Sequence, residues 1–313
     1  MPIPVLIDTD TGVDDALALI LALRSPELSV KAITTVAGNA GVQRCTRNVQ
    51  KVLEVLHEHN TVPVVQGASK PLKRTLVTAP EVHGFEGLGN FIPVLLHYHT
   101  RVRANAVEVI LGHCRKYPKR LNIIALGPLT NIAAAFKRGP SLMRNVRRII
   151  SMGGAFRVPG NTGPVAEFNY YVDPEAAEAV VRGRLPLTMV PLDLTEQIVL
   201  MRKDLEYRAR RRPSALSRFI LKFTRHYMRY HLKAEGFDGG FLHDPLAVAM
   251  AIDPRMFRSR PATVHVETRG RWTRGMSIAD FRVRPSSRGS AVEVVFGVEK
   301  ERFLRLFHER LWT

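Results

Sequence analysis

Cysteine is almost missing from this 313-residue chain: only Cys45 and Cys114 occur, neither in a CxxC pair nor beside a histidine cluster. Two thiols cannot build a disulfide framework, and they suit a reducing cytoplasm, which is the expected compartment. No charge-poor stretch approaches the roughly 18 apolar residues that a membrane span needs. The opening MPIPVLIDTD has no basic n-region and runs at once into a strand-like segment, so neither a signal peptide nor a transit segment is expected. Fixed-period repeats, low-complexity tracts and a linker able to separate two units are absent, which makes a single domain over residues 1–313 the economical reading.

Acidic residues are also in short supply, with 28 Asp+Glu against 46 Lys+Arg and a net charge of +18. Such a balance invites a nucleic-acid reading. The densest basic region, RKDLEYRARRRPSALSRFILKFTRHYMRYHLK, argues for something plainer. In its second half Leu216, Phe219, Ile220, Phe223 and Tyr227 fall on one helical face, and Arg218, Lys222, Arg225 and Arg229 on the other. That is an amphipathic helix with a solvated basic side. No nucleic-acid motif accompanies it, so specific nucleic-acid binding is not expected.

Short β-rich apolar runs alternate with helical patterns: PVLIDTD then DDALALILAL, VKAITTVAG then VQRCTRNVQKVLEVLHEH, LNIIALG then PLTNIAAAFKR, and DPEAAEAVVRG then LPLTMVPLD. Alternation of this kind predicts an α/β fold, an open, mainly parallel sheet with helices on both faces. After about residue 260, ATVHVET, GMSIADFR and AVEVVFGV predict a small β-rich C-terminal appendage, closed by the helical ERFLRLFHERLW. Two long segments rich in Pro, Gly and polar residues interrupt the pattern, KPLKRTLVTAPEVHGFEGLGNFIP and FRVPGNTGPVAEFNYYVDP, and read as functional or surface loops.

The first strand runs into four aspartates, Asp8, Asp10, Asp14 and Asp15, within eight residues. In an open parallel sheet ligands bind beyond the carboxyl ends of the strands, which is where Gly12 would turn the chain into a helix. A helix N-terminus favours a nearby acid by up to about 1 kcal/mol, too little for four carboxylates pressed between apolar segments. Capping accounts for Asp14 and Asp8 but leaves Asp10 and Asp15 without a partner. A hard divalent cation with oxygen ligands explains the cluster better. Further oxygens could come from Asp244 in GFLHDPLAVAM, and from the Leu126 carbonyl, which NIIALGPLTNIA leaves free at a strand end.

DTDTGVDDALAL, HGFEGLG, LGPLTNIA, SMGGAF, NTGPVAEFNYYVDPEAA and HDPLAVA follow one another between residues 5 and 250, and together they resemble the nucleoside hydrolases, which cleave the N-glycosidic bond of ribonucleosides. The resemblance implies Ca2+ held by Asp10, Asp15, the Leu126 carbonyl and Asp244, with Asp10 as general base toward water. It implies that Asp14, Asn39, Asn161, Glu167 and Asn169 grip the ribose, and that Met152 and Phe168 line the sugar pocket. The family commonly has threonine at position 126; a backbone ligand makes that change of little consequence. His243, directly before a metal ligand, would be the acid that protonates the departing base. His83 would lie near the base, and His226, Tyr227, Tyr230 and His231 are candidates for closing over it.

The family motif more often reads HG-x-D-GLG, so Glu86 is a departure. The purine-specific branch stacks the base between tryptophans, whereas Trp272 and Trp312 lie outside every matched motif. The expectation is therefore a non-specific or pyrimidine-preferring enzyme. Family members are usually homodimers or homotetramers. Two other readings stand beside this one: a hydrolase of a phosphorylated riboside, suited to the basic balance though lacking a Gly-rich phosphate cradle, and a riboside-binding protein without turnover.

Overall fold

The computed structural model describes residues 1–58, 61–90, 105–283 and 290–312. The end of the first long loop, from Phe91 on, lies outside the described residues. Eleven strands are seen: β1 Ile3–Thr9, β2 Leu28–Thr35, β3 Val64–Gln66, β4 Asn122–Ala125, β5 Arg148–Met152, β6 Leu187–Val190, β7 Val199–Met201, β8 Gly239–Phe241, β9 Phe257–Val266, β10 Ser277–Asp280 and β11 Ser290–Val298. Nine of them form one sheet in the order β10-β9-β11-β6-β5-β4-β1-β2-β3. From β11 to β3 every neighbouring pair is parallel, and only β9 and β10 run against their neighbours.

The apolar runs occur because these strands are covered on both faces: Val5, Leu6 and Ile7 are fully buried on successive positions of β1, as are Ile123 and Ile124 of β4. Helix Val13–Leu23 is buried from Val13 to Ala22, and helix His243–Ile252 from Asp244 to Ile252. A helix that is apolar all round has to sit inside the molecule, and these two pack against each other. Their N-termini therefore open at the same place.

That place follows from topology. The chain goes from β1 outward to β2 and β3, then returns to form β4 on the other side of β1. The reversal leaves a crevice at the carboxyl ends of β1 and β4, where open α/β sheets bind ligands.

The C-terminal β-rich segment is continuous with the main sheet. Its β11 pairs in parallel with β6 through Glu293–Thr188 and Val294–Met189, and antiparallel with β9. Burial of Val292, Val294 and Val295 explains why the segment joins the core, with a register shift between Val295 and Gly297 accommodating the run. Helix Lys300–Trp312 follows and buries Phe303, Phe307 and Leu311 along one face. β7 and β8 form a separate antiparallel pair that brackets helices Arg202–Arg211 and Ala215–Ala234. No helix among the described residues is long and apolar enough to cross a membrane.

Candidate active site

Strand β1 delivers Asp10 one residue past its end, and Gly12 leads into the first turn of helix Val13–Leu23, which carries Asp14 and Asp15. Three donors fix Asp15: the Thr9 hydroxyl at 2.5 Å on Oδ1, and the Gly12 N–H at 2.8 Å and Asn39 Nδ2 at 3.1 Å on Oδ2. Asp10 Oδ2 accepts the Asn39 N–H at 2.7 Å, whereas its Oδ1 is buried with no hydrogen-bond partner among the described residues. Gly38 and Gly127 make room for this carboxylate, because a Cβ at either would lie 2.1 or 2.7 Å from its oxygens.

Helix His243–Ile252 brings Asp244 to the same spot, and Asp14, Asp15 and Asp244 each offer an oxygen within 4.8 Å of the others. Burial raises the pKa of Asp10, Asp14, Asp15 and Asp244, and repulsion from neighbouring carboxylates adds to it at Asp10, Asp14 and Asp244, so that Asp14 stands at about 8 and Asp10 and Asp244 well above the usual carboxylate range. Hard oxygen donors, one of them orphaned, packed this densely fit a hard divalent cation. Leu126 follows β4; its N–H donates to the Asp8 carbonyl at 2.8 Å, and its own carbonyl accepts Asn169 Nδ2 at 2.7 Å.

Asn169 belongs to the short helix Phe168–Val172, and Glu167 caps it. The Glu167 carboxylate accepts the backbone N–H groups of Asn169 at 2.8 Å, Tyr170 at 3.1 Å and Gly154 at 3.1 Å; burial nonetheless pushes it up to about 7. Asn161 Oδ1 accepts the Phe168 N–H at 2.9 Å and holds the loop over this end. Asn161, Glu167, Phe168 and Asn169 line a cavity of about 260 Å3 together with Asp14, Asn39, Leu126, Met152, Asp244 and a group of rings.

The rings are His83, Tyr227, Tyr230, His231, Phe241 and His243. His83 Nδ1 accepts the Val13 N–H at 3.1 Å, so its proton resides on Nε2, and its ring stacks on Tyr227 with centroids 5.7 Å apart. Tyr227 donates its hydroxyl to the Phe241 carbonyl at 3.0 Å. His243 Nδ1 lies 2.7 Å from the Thr195 hydroxyl. Burial, then His231 and His83, lower His243 to about 3, so its resting imidazole is neutral and does not titrate near neutral pH as an ordinary histidine would.

The sequence from residue 5 to residue 305 matches the inosine-uridine preferring nucleoside hydrolase family. The chain belongs to this family. Among relatives of this nucleoside hydrolase, the pyrimidine-specific ribonucleoside hydrolase RihA of Citrobacter koseri is 40% identical over 313 residues, 99% of this chain and 98% of the relative. Two solved structures share the fold closely. A plant nucleoside hydrolase, the PpNRh1 enzyme, has a TM-score of 0.94 at 34% identity with 100% of both chains covered. The purine-preferring ribonucleoside hydrolase from Gardnerella vaginalis has a TM-score of 0.92 at 33% identity with 98% of both covered. The chain is thus a ribonucleoside N-glycosidase by family.

In this nucleoside hydrolase Asp14, Asn39, His83, Met152, Asn161, Glu167, Phe168, Asn169, Tyr227, Tyr230 and His231, all expected near the sugar or the base, line the cavity. Leu126, His243 and Asp244 line it as well, while Asp10 and Asp15 are fully buried behind it. His226 is not among the lining residues; its Nε2 meets the Glu81 carbonyl at 3.0 Å and ties the long helix to the His83 turn. Asp8 is a structural group that accepts from Thr34 at 2.5 Å and Asn131 at 2.8 Å. Glu86, the departure from the family motif, faces Arg44 at 3.4 Å, and its carbonyl accepts Asn48 Nδ2 at 2.9 Å. The same Asn48 amide reaches the Thr11 carbonyl at 3.1 Å, so the loop and the aspartate turn are tied together. Sequence reasoning missed Thr9, Thr195, Glu196, Glu235 and Phe241, of which Thr9 lies within the aspartate motif and Phe241 stands two residues before His243.

Proposed function

We propose that this nucleoside hydrolase carries out calcium-dependent hydrolysis of ribonucleosides to ribose and free base, with pyrimidine ribosides preferred. The observation that carries the reading is the orphaned Oδ1 of Asp10 beside the Asp14, Asp15 and Asp244 carboxylates. Asp10, Asp15, Asp244 and the Leu126 carbonyl would hold the cation, with Asp14 within reach of it. When bound, the ion supplies Lewis acidity that lowers the pKa of water and anchors sugar hydroxyls.

The chain's own residues do the rest. Asp10 takes a proton from the attacking water. Asp14, Asn39 and Asn169 hold the ribose hydroxyls, and Glu167 and Asn161 hold the opposite end of the sugar. As the glycosidic bond breaks, positive charge grows on the ribose, and the surrounding carboxylates stabilise it. No covalent sugar intermediate is needed. His243 assists the departing base: where the Thr195 hydroxyl donates to Nδ1, the neutral imidazole carries its proton on Nε2 and hydrogen-bonds the base from there, and the proton that the base gains is balanced by the one Asp10 takes from water.

The pyrimidine preference is supported by the Citrobacter koseri relative and by a ring set of histidines and tyrosines without tryptophan. The Gardnerella relative, purine-preferring by name, is less similar to this chain in sequence. A phosphorylated riboside is disfavoured. The described lining residues include Asp14, Glu81, Glu167, Glu196, Glu235 and Asp244 but no lysine or arginine, so a phosphate would meet carboxylates. The test is a panel of uridine, cytidine, inosine, adenosine and guanosine, read as free ribose released per second. Release from none of them overturns the reading.

A further inference from the structure

His243 marks the proposed leaving-group side of the cavity, its Nδ1 lies 2.7 Å from the Thr195 hydroxyl, and the next residue, Glu196, lines the same cavity. Glu196 follows the short helix Leu192–Thr195, and Glu235 ends the long helix that carries Tyr230 and His231. Both carboxylates line the cavity.

The polar groups around them are mostly committed. Tyr227 Oη is bonded to the Phe241 carbonyl, His83 Nδ1 to the Val13 N–H, and His231 Nδ1 to the Tyr227 carbonyl. The Glu196 carboxylate has no hydrogen bond or ion pair among the described residues. Burial, then Glu235 and Asp193, push it up to about 7, so an incoming hydrogen-bond donor would stabilise its charged form. Glu196 is half-buried, so it stands toward the rim of the cavity, where it would meet the part of a base most remote from the glycosidic bond. In a pyrimidine that part is C4, directly across the ring from N1. Cytosine carries an amino donor there, whereas uracil carries a carbonyl acceptor.

We infer that Glu196 discriminates between pyrimidine bases, its carboxylate accepting a hydrogen bond from the C4 amino group of cytosine and opposing the C4 carbonyl of uracil. The inference rests on the hydrolase reading above and names the group that selects within its substrate class. Glu235 reinforces the preference by adding negative charge at the same end.

The experiment measures kcat/KM for cytidine and uridine at about pH 8.5, where the Glu196 carboxylate is ionised, in the wild-type enzyme, in Glu196→Gln and in Glu196→Ala. Because both substrates are read on the same preparation, the cytidine-to-uridine ratio is independent of how much of a variant is folded. A charge-assisted hydrogen bond at a half-open site is worth about tenfold, so the ratio falls about tenfold in Glu196→Gln, whose carboxamide can donate to the uracil carbonyl, and less in Glu196→Ala. A ratio that changes by less than about twofold in both variants, while both ribosides are hydrolysed, overturns the inference and leaves the hydrolase reading intact. Failure of the wild-type enzyme to release ribose from either substrate instead overturns the hydrolase reading, and the inference with it.

Discussion

His83 Nδ1 accepts a hydrogen bond from the backbone N–H of Val13 at 3.1 Å, so the last residue of the short helix Pro80–His83, 70 positions downstream, caps the helix that carries Asp14 and Asp15. Gly12 permits this approach, because a Cβ there would lie 2.6 Å from the same nitrogen. The bond explains how a fully buried histidine, lowered to about 3 chiefly by burial, can be neutral and still have a defined tautomer. It also joins the base-facing loop to the carboxylate cluster.

His83→Ala is therefore expected to leave a buried N–H unpaired, at a cost of about 1–3 kcal/mol in stability, and to lower turnover as the first turn of the helix loosens. Urea unfolding of the variant beside the parent measures the first effect, and ribose release the second. A variant as stable as the parent would show that the bond to Val13 does not anchor the helix.

Chelation should abolish riboside hydrolysis, and added calcium should restore it. It should also lower Tm, since a cation that binds the folded state alone adds stability by mass action. Full activity in protein shown by elemental analysis to hold no metal would remove the cation from the reaction.

Asp10→Asn should reduce turnover by at least about a hundredfold, because general-base catalysis is typically worth 10² to 10⁴, with circular dichroism unchanged. Activity within a few-fold of the parent would assign the base to another carboxylate of the cluster.

2′-Deoxyribosides should be very poor substrates. Losing that hydroxyl would leave the buried Asp14 or Asn169 unpaired, and sites built to bond a hydroxyl can discriminate by up to about 10⁴ to 10⁵. Comparable rates on uridine and deoxyuridine would contradict the proposed sugar contacts.

His243→Ala should slow uridine by about 10² to 10⁴ yet hardly affect p-nitrophenyl riboside, whose leaving group departs as a stable anion. Thr195→Val should follow the same pattern more weakly, since Thr195 acts by orienting the imidazole. Equal losses on both substrates would assign His243 to supporting Asp244 rather than to the leaving group.

The parallel sheet was legible in the alternation of apolar runs and helical periods, which depends on neighbouring residues alone. The aspartate turn was legible for the same reason: Asp10, Asp14 and Asp15 lie on one strand end and one helical turn, so their proximity is a property of local geometry. Asp244 and the sugar-side residues were legible through motifs, although nothing local says that they converge. What only the tertiary structure decided is the leaving-group end. Thr195, Glu196, Tyr230, Glu235 and His243 meet because β7 pairs with β8, closing the connection that contains the long helix and bringing segments some 40 residues apart side by side. The C-terminal strands likewise join the main sheet through a backbone ladder between β6 and β11, more than 100 residues apart. Backbone pairing of this kind leaves little trace in composition or periodicity, because the hydrogen-bonding groups are the same in every residue.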